Sequence, residues 1–409
     1  MAKINHLDNN VKLEGKRVLL RVDFNVPLNN GSITESTRIK KVIPTIKFLI
    51  DKKAKIIIIS HVGRPKGKIV PSLTLEPIAK KLSNLLNRKV VFCNEVIGPK
   101  VIEKSKKISN CAILLLENLR FHKEEEENSK HFAKELSKIG DIYVNEAFSC
   151  SHRAHASVSE ITNHINSFAG QQLIKEINAI KMLTDTTDKP VSCIVGGSKI
   201  STKIGVLSNL IKKMDNIVIV GAMANNFIKY KKYNIGKSIF EKNTENLIED
   251  ILKKANENKC KIVIPDDVIV SKDHNSKGKL KDLNQIEDTD LILDIGTQTI
   301  ETISKIIENS KTVLWNGPAR YFEINEFSKR TDEIPKKISE NTKNKFLKSV
   351  VGGGDTVAAI NKFNYNDGFS YISTAGGAFL ELLEGKILPG IKALEKNEWN
   401  RKYSQTNGS

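Results

Sequence analysis

The sequence predicts an α/β protein built as two doubly wound, parallel-sheet domains joined by a long helix, with a cleft between them. Three observations carry that prediction. Short apolar, β-branched runs alternate with longer amphipathic segments along the whole chain. The runs are close to continuously apolar, as in VLLRVDF (18–24) and KIIIIS (55–60), which suits strands covered by helices on both faces. Twelve such runs are too many for one ordinary open sheet, and 409 residues are too many for one core.

In the first half the strands are 18–24, 55–60, VVFC (90–93), AILLLEN (112–118) and DIYVNEAF (141–148). TRIKKVIPTIKFLIDKK (37–53) and LEPIAKKLSNLL (75–86) have helical spacing and lie between them. GQQLIKEINAIKMLTDTTDKP (170–190) reads as one long helix stopped by Pro190, with a fresh strand at Val191, and is therefore the joining helix. The second half carries VSCIVGG (191–197), NIVIVGA (216–222), KIVIP (261–265), LILDIG (291–296), TVLWNG (312–317), LKSVVGG (347–353) and FSYIST (369–374). The expected domains are residues 1–169, with 390–409 packing back on them, and residues 170–389. Both are Rossmann-like.

Composition narrows the function. A hydrophobic fraction of 39% and a charged fraction of 27% suit a globular chain. No apolar run approaches the ~20 residues of a membrane span, and MAKINHLDNNVKLEGK lacks the apolar stretch of a signal peptide. Cys93, Cys111, Cys150, Cys193 and Cys260 are odd in number and scattered. They read as reduced thiols of a cytoplasmic protein rather than a disulfide framework or zinc site. The net charge of +18 is spread without a basic tail and without a nucleic-acid-binding signature, so nucleic acid is not the expected ligand.

Arginine is more informative. Only ten of the 65 basic residues are arginine, and none lies between Arg153 and Arg320. Arg38, Arg64, Arg120 and Arg153 stand close to strand ends or the loops after them in the first half. A planar, permanently charged fork there suits phosphate or carboxylate. The second-half strand ends are glycine-rich instead: Gly196-Gly197-Ser198-Lys199, Asn316-Gly317-Pro318, Gly352-Gly353-Gly354-Asp355-Thr356 and Ser373-Thr374-Ala375-Gly376-Gly377. Ligands of doubly wound sheets bind beyond the carboxyl ends of the strands. The division therefore points to a compact anion in one domain and a nucleotide in the other. Two common phosphate motifs fail: Gly236-Lys237-Ser238 has Lys231 where a P-loop needs glycine, and the GxGxxG begun by Gly352 ends in Val357.

RVDFNVP (21–27), SHVGRPKG (60–67), LLLENLRF (114–121), SHRAHAS (151–157), GGSKISTKIGV (196–206), LWNGPARYFE (314–323), GGGDT (352–356) and STAGGAFLELLEGKILPGIKAL (373–394) follow one another in a single order and spacing. That series resembles the successive signatures of the phosphoglycerate kinase family. The resemblance implies reversible transfer of a phosphoryl group between ATP and the carboxylate of 3-phosphoglycerate, giving 1,3-bisphosphoglycerate and ADP, with Mg²⁺, by a monomeric enzyme. It implies that Asp23, Asn25, Arg38, His61, Arg64, Arg120, Arg153 and His155 hold the phosphoglycerate. It implies that Gly197, Lys199, Lys203, Asn316, Glu323, Gly352, Gly353, Gly354, Asp355, Thr356, Gly376 and Gly377 meet the nucleotide. Arg38, Lys199 and Lys203 would be catalytic, Asp355 the metal ligand and Glu323 a ribose contact.

The chain departs from the family pattern at a few positions. Thr202 replaces a common acidic residue, Ser149-Cys150-Ser151 a more usual Gly-Thr-Ala, and Glu146 an aspartate. Ala319-Arg320 replaces Met-Gly beside the nucleotide positions, and Thr297 a proline.

Overall fold

In the computed structural model the described residues are 4–29, 31–185, 188–274, 276–319 and 325–395. The strand-and-helix alternation begins with β1 (Arg17–Arg21), a two-residue hairpin of β2 (Leu28–Asn29) and β3 (Ser32–Ile33), and α1 (Thr37–Asp51). There follow β4 (Lys55–Ile59), α2 (Glu76–Leu86), β5 (Val90–Cys93), α3 (Pro99–Lys107), β6 (Ile113–Leu116), α4 (Lys123–Glu126), α5 (Lys130–Ser137), β7 (Ile142–Asn145) and β8 (Ser167–Ala169). The main strands form one six-stranded sheet of order β5-β6-β4-β1-β7-β8, with every pair parallel.

Why this sheet is buried on both sides is visible in single residues. Along β4, Ile56 and Ile58 enter one apolar cluster with Val18 and Leu20, while Ile57 and Ile59 enter another with Leu19. Period-two alternation thus feeds two cores, one on each face, and an unbroken apolar run is what such a strand requires.

Helix α6 (Gln171–Thr184) then leads to a second sheet. The described chain divides into two compact units between Ile177 and Asn178, inside this helix, and the segment from Ile387 rejoins the first unit. In the first unit α14 (Pro389–Glu395) is anchored by the Gly390 amide, which donates to the Ser151 carbonyl at 2.9 Å. A Cβ on Gly390 would lie 2.6 Å from Val158, so the close approach needs glycine.

The second unit contains β9 (Val191–Val195), α7 (Ile204–Leu210), β10 (Asn216–Ile219), α8 (Ala222–Tyr230), α9 (Glu245–Glu257) and β11 (Lys261–Val263). After β12 (Asp267–Ser271), β13 (Lys279–Asp282) and β14 (Leu291–Ile295) come α10 (Thr297–Asn309), β15 (Thr312–Asn316) and α11 (Asn325–Lys343). It closes with β16 (Lys348–Gly352), α12 (Gly354–Lys362), β17 (Tyr371–Ser373) and α13 (Gly376–Leu383). Six strands form a parallel sheet of order β11-β10-β9-β15-β16-β17. Connections run outward from β9 in one direction and from β15 in the other, so the topological switch lies between those two strands.

One departure from expectation concerns 291–296. This strand is not in the parallel sheet but in a separate antiparallel sheet of order β13-β12-β14. Neither of its partners is among the strands expected above: β13 reads KLKD and is largely exposed, so it lacks an apolar signature, whereas β12 reads DVIVS, is buried throughout and does carry one. Among the described residues no helix is long and apolar enough to cross a membrane.

Candidate functional site

In the first unit the polar residues expected at the site follow the carboxyl ends of β1, β4, β6 and β7. Arg38, one residue into α1, donates from Nη1 to Asp23 Oδ2 at 2.6 Å and to the Asn25 carbonyl at 3.2 Å. Asp23 Oδ1 accepts from the Asn25 amide at 3.0 Å, and Asn25 Oδ1 accepts from the Gly63 amide at 2.9 Å. The 60–67 loop is thereby tied to the loop after β1. Arg120 is nearly buried; its Nη1 donates to the Gly63 carbonyl at 2.7 Å and its Nε lies 3.4 Å from Glu126.

Arg153 Nε faces His152 Nε2 at 3.2 Å, and Arg64 is exposed. His155 is buried with no hydrogen bond to Nδ1. Burial, then Arg21, Arg120 and Arg153, push its pKa down to about 3. The same forces hold His61 well below its ordinary value: burial first, then Arg21, Arg120, His155 and Arg38. Two neutral imidazoles and several guanidiniums around one acidic side chain form an environment that favours an anion.

Asp23, His61 and Cys150 bring an oxygen, a nitrogen and a sulfur within 4.8 Å of one another. The donors suit a thiophilic cation by type, but two are already engaged. Arg38 occupies Asp23, and the Arg21 guanidinium sits 3.2 Å from His61 Nδ1. A cation would have to displace both fixed positive charges.

The second unit holds a pocket of about 660 Å³ at the switch between β9 and β15. Of the expected nucleotide residues, Gly197, Lys203, Asn316, Gly353, Gly354, Asp355, Thr356, Gly376 and Gly377 line it. Three helices begin on it: α8 at Gly221-Ala222, α12 at Gly353-Gly354 and α13 at Gly376-Gly377. Their first-turn amides and positive dipole ends favour a phosphate chain. Lys203 Nζ donates to Asn316 Oδ1 at 2.6 Å, and Asn316 Nδ2 donates to the Gly352 carbonyl at 2.6 Å. The Gly317 amide donates to Thr356 Oγ1 at 2.7 Å. Burial lowers the Lys203 pKa.

The glycines here have different reasons. Gly353 has φ of +105° and caps α12, whereas Cβ atoms on Gly354 or Gly376 would meet nothing within 4 Å, leaving open space beside the helix starts. Gly352 instead lies beneath the Phe379 ring, where a Cβ would come within 2.2 Å, so its smallness serves packing. Lys199 is exposed and is not part of the pocket lining. Glu323, the expected ribose contact, and Arg320 lie outside the described residues.

Several departures from the family pattern find structural roles. Ser149 Oγ donates to Asp23 Oδ2, and Cys150 Sγ lies 4.0 Å from His61 Nδ1, so both replaced side chains touch expected site residues. Glu146 is buried and accepts from the Gln172 and Leu173 amides at 3.0 Å, supplying a carboxylate to the start of α6. Thr202 Oγ1 only closes a turn onto the Lys199 carbonyl. The acid of that loop comes from outside it, since Glu241 accepts from the Ser201 amide at 3.0 Å and from its hydroxyl at 2.5 Å. Sequence reasoning missed Glu241, and it missed Arg21, which is buried among the site histidines.

Comparison with known proteins bears on the same arrangement. The family model for phosphoglycerate kinase matches residues 8–386. A phosphoglycerate kinase of Wolbachia sp. subsp. Brugia malayi (strain TRS) is 48% identical over 397 residues, covering 97% of this chain and 99% of that protein. One from Bartonella bacilliformis is 44% identical over 393 residues, covering 94% and 97%. Among solved structures, phosphoglycerate kinase from Coxiella burnetii aligns with a TM-score of 0.87 and 40% identity over 94% of this chain and 97% of that one. The Pyrococcus horikoshii OT3 enzyme aligns with a TM-score of 0.80 and 30% identity, covering 96% and 98%. With a family match across nearly its whole length and close relatives that it covers from end to end, the chain belongs to the phosphoglycerate kinase family.

Proposed function

We infer that the chain is a phosphotransferase of glycolysis and gluconeogenesis that moves a phosphoryl group reversibly between ATP and the carboxylate of 3-phosphoglycerate. Family membership across residues 8–386 is the observation that carries this reading. The two constellations support it, one rich in arginine and neutral histidine, the other a glycine-lined pocket at three helix starts. We assign the phosphoglycerate to the domain of residues 1–169 with 390–409, and the nucleotide to residues 170–389.

The chemistry asks little of proton-transfer groups. A carboxylate nucleophile carries no proton, so catalysis reduces to in-line positioning and neutralising charge on the transferring group. Asp23 and Asn25 orient the acceptor, and His61, Arg64, Arg120, Arg153 and His155 take its phosphate. Arg38, Lys199 and Lys203 supply positive charge to the transferring phosphoryl, and amides at the α12 and α13 starts receive the nucleotide phosphates. Transfer between groups held on separate domains requires the two to close and exclude water.

Asp355 fits a magnesium ligand. It is exposed in the first turn of α12 and lines the pocket, and Mg²⁺ needs only one or two protein carboxylates when phosphates complete its shell. When bound, the ion would neutralise phosphate charge. The deciding experiment is a coupled assay of the purified protein with ATP, Mg²⁺ and 3-phosphoglycerate. Turnover dependent on all three is expected, and a folded protein without turnover would overturn the assignment. We further propose a cytoplasmic monomer, a reading that all five cysteines being unpaired supports. Elution as a dimer in size-exclusion chromatography would contradict the monomer.

A further inference from the structure

Arg21 ends β1 and is 1% exposed, among the largest fully buried side chains. It is held from several directions. Its Nε donates to Ser157 Oγ at 2.8 Å, and that hydroxyl donates in turn to Glu125 Oε1 at 2.5 Å. Glu125 Oε2 accepts from the Ser157 amide at 2.8 Å, and the Tyr143 hydroxyl donates to the Ser157 carbonyl at 2.6 Å. Nη1 donates to the Val22 carbonyl. One guanidinium therefore ties together the end of β1, the short helix α4, strand β7 and the segment after Arg153 and His155. Its remaining nitrogen, Nη2, lies 3.2 Å from His61 Nδ1.

That last contact has a definite direction. A guanidinium has only donors and does not deprotonate in proteins. His61 Nδ1 must therefore accept, and the single proton of the neutral ring must sit on Nε2. Protonating Nδ1 would break this bond and set two cations 3.2 Å apart. The other charged or titratable groups facing the ring are Arg38 of α1, Arg120 of the turn after β6, His155 and Cys150 of the 148–157 segment, and Asp23. His61 Nε2 makes no hydrogen bond among the described residues.

We propose that Arg21 is a positioning residue that fixes His61 as the Nε2–H tautomer, so that His61 meets the acceptor substrate as a neutral hydrogen-bond donor. The substrate half of this statement rests on the function proposed above, whereas the tautomer does not. Arg21 itself touches no substrate. It is anchored by Ser157 and Glu125 and acts through the ring. Charge for binding the anion then comes from the neighbouring arginines, while His61 contributes direction and stays independent of pH over the working range.

The test reads the ring directly. Long-range ¹H–¹⁵N NMR on the full-length protein, with the His61 signal assigned by its loss in His61→Gln, is followed between about pH 5 and 8. The expected result is the neutral Nε2–H pattern throughout. An Nδ1–H ring, or an imidazolium forming near its ordinary pKa, overturns the proposal. Arg21→Met combined with Glu125→Gln removes the cation without stranding a buried carboxylate. In that variant His61 should become a tautomer mixture and titrate. The KM for 3-phosphoglycerate should rise about tenfold and become pH-dependent, with kcat changed less than about twofold.

Arg21→Lys keeps the charge and serves if the double variant does not fold. A weaker tautomer preference with a raised KM supports the proposal. A raised KM with an unchanged tautomer signature refutes it, as does a shifted tautomer with unaltered KM. Absence of all turnover in the wild type, with the expected tautomer intact, would instead count against the functional reading.

Discussion

Arg38 Nη1 lies 2.6 Å from Asp23 Oδ2, so the arginine in the first turn of α1 is ion-paired to the first acidic residue after β1. Asp23 also accepts from Ser149 and from the Asn25 amide. A guanidinium with one nitrogen on a carboxylate retains further donors for an incoming phosphoryl oxygen. The pair thus orients the fork without using it up.

Arg38→Ala should lower kcat about 10²- to 10³-fold while changing the KM for ATP little, because a charge used mainly in the transition state shows up in turnover. Arg38→Lys should recover only part of the loss, since a point charge cannot reproduce the fork. Steady-state kinetics at saturating substrate decide the matter. Equal losses in kcat and ATP affinity would contradict the assigned role.

Asp355→Ala should shift the Mg²⁺ activation curve to higher concentration by about tenfold or more, since one of few protein carboxylates on the metal would be gone. The phosphoglycerate KM should stay near its original value. Titrating Mg²⁺ at fixed ATP gives the answer, and an unmoved midpoint removes Asp355 from the metal.

Adjacent glycines should respond differently. Gly353→Ala places a Cβ at φ +105° and 2.9 Å from Asn316 Nδ2, and should cost about 1–3 kcal/mol of stability. Gly354→Ala meets nothing within 4 Å, so its effect on stability should stay within about 0.5 kcal/mol. If nucleotide phosphates lie against this helix start, the second substitution should nevertheless weaken ADP binding. Thermal melts paired with ADP calorimetry separate the two. A Gly354→Ala protein with unaltered ADP affinity would place the phosphates elsewhere.

The buried histidines predict the acid response. His155 has a folded pKa of about 3, and His61 is also depressed, whereas unfolded histidine titrates near 6.5. The unfolded chain therefore binds protons first as pH falls. The stability gained by holding the rings neutral is complete above about pH 6.5 and is lost on descending toward the folded values, by up to about 1.4 kcal/mol per pH unit for each ring. Urea midpoints between about pH 7 and 5 should fall more steeply in the wild type than in His61→Gln/His155→Gln. Parallel slopes would mean that the rings take up protons in the folded protein as readily as in the unfolded chain.

Much of the fold is local information. Runs such as KIIIIS declare a two-faced buried strand because each alternate residue must find a core. The loop glycines mark places where backbone turns tightly or a ligand comes close. Strand β8, three residues long, and the polar β13 carry too little periodicity to be seen. The rest depends on contacts distant in sequence: Arg21 bonds Ser157 across 136 positions, and Ser149 reaches Asp23 across 126.

Two sets of strand ends, an arginine-free stretch between Arg153 and Arg320, and a series of motifs sufficient to indicate the family are legible in the residues alone. Which of those residues share a site, and in what state, follows from contacts made on folding. Folding placed β14 in an antiparallel sheet, put Gly352 under Phe379 rather than on the pocket, and brought Glu241 to the lysine loop. It also set a guanidinium against His61 Nδ1, which chooses the proton's position on the ring. The physical reason is the range of the forces involved. Periodicity and backbone freedom act over a few residues, whereas burial, proton position and charge balance belong to the neighbours that folding assembles.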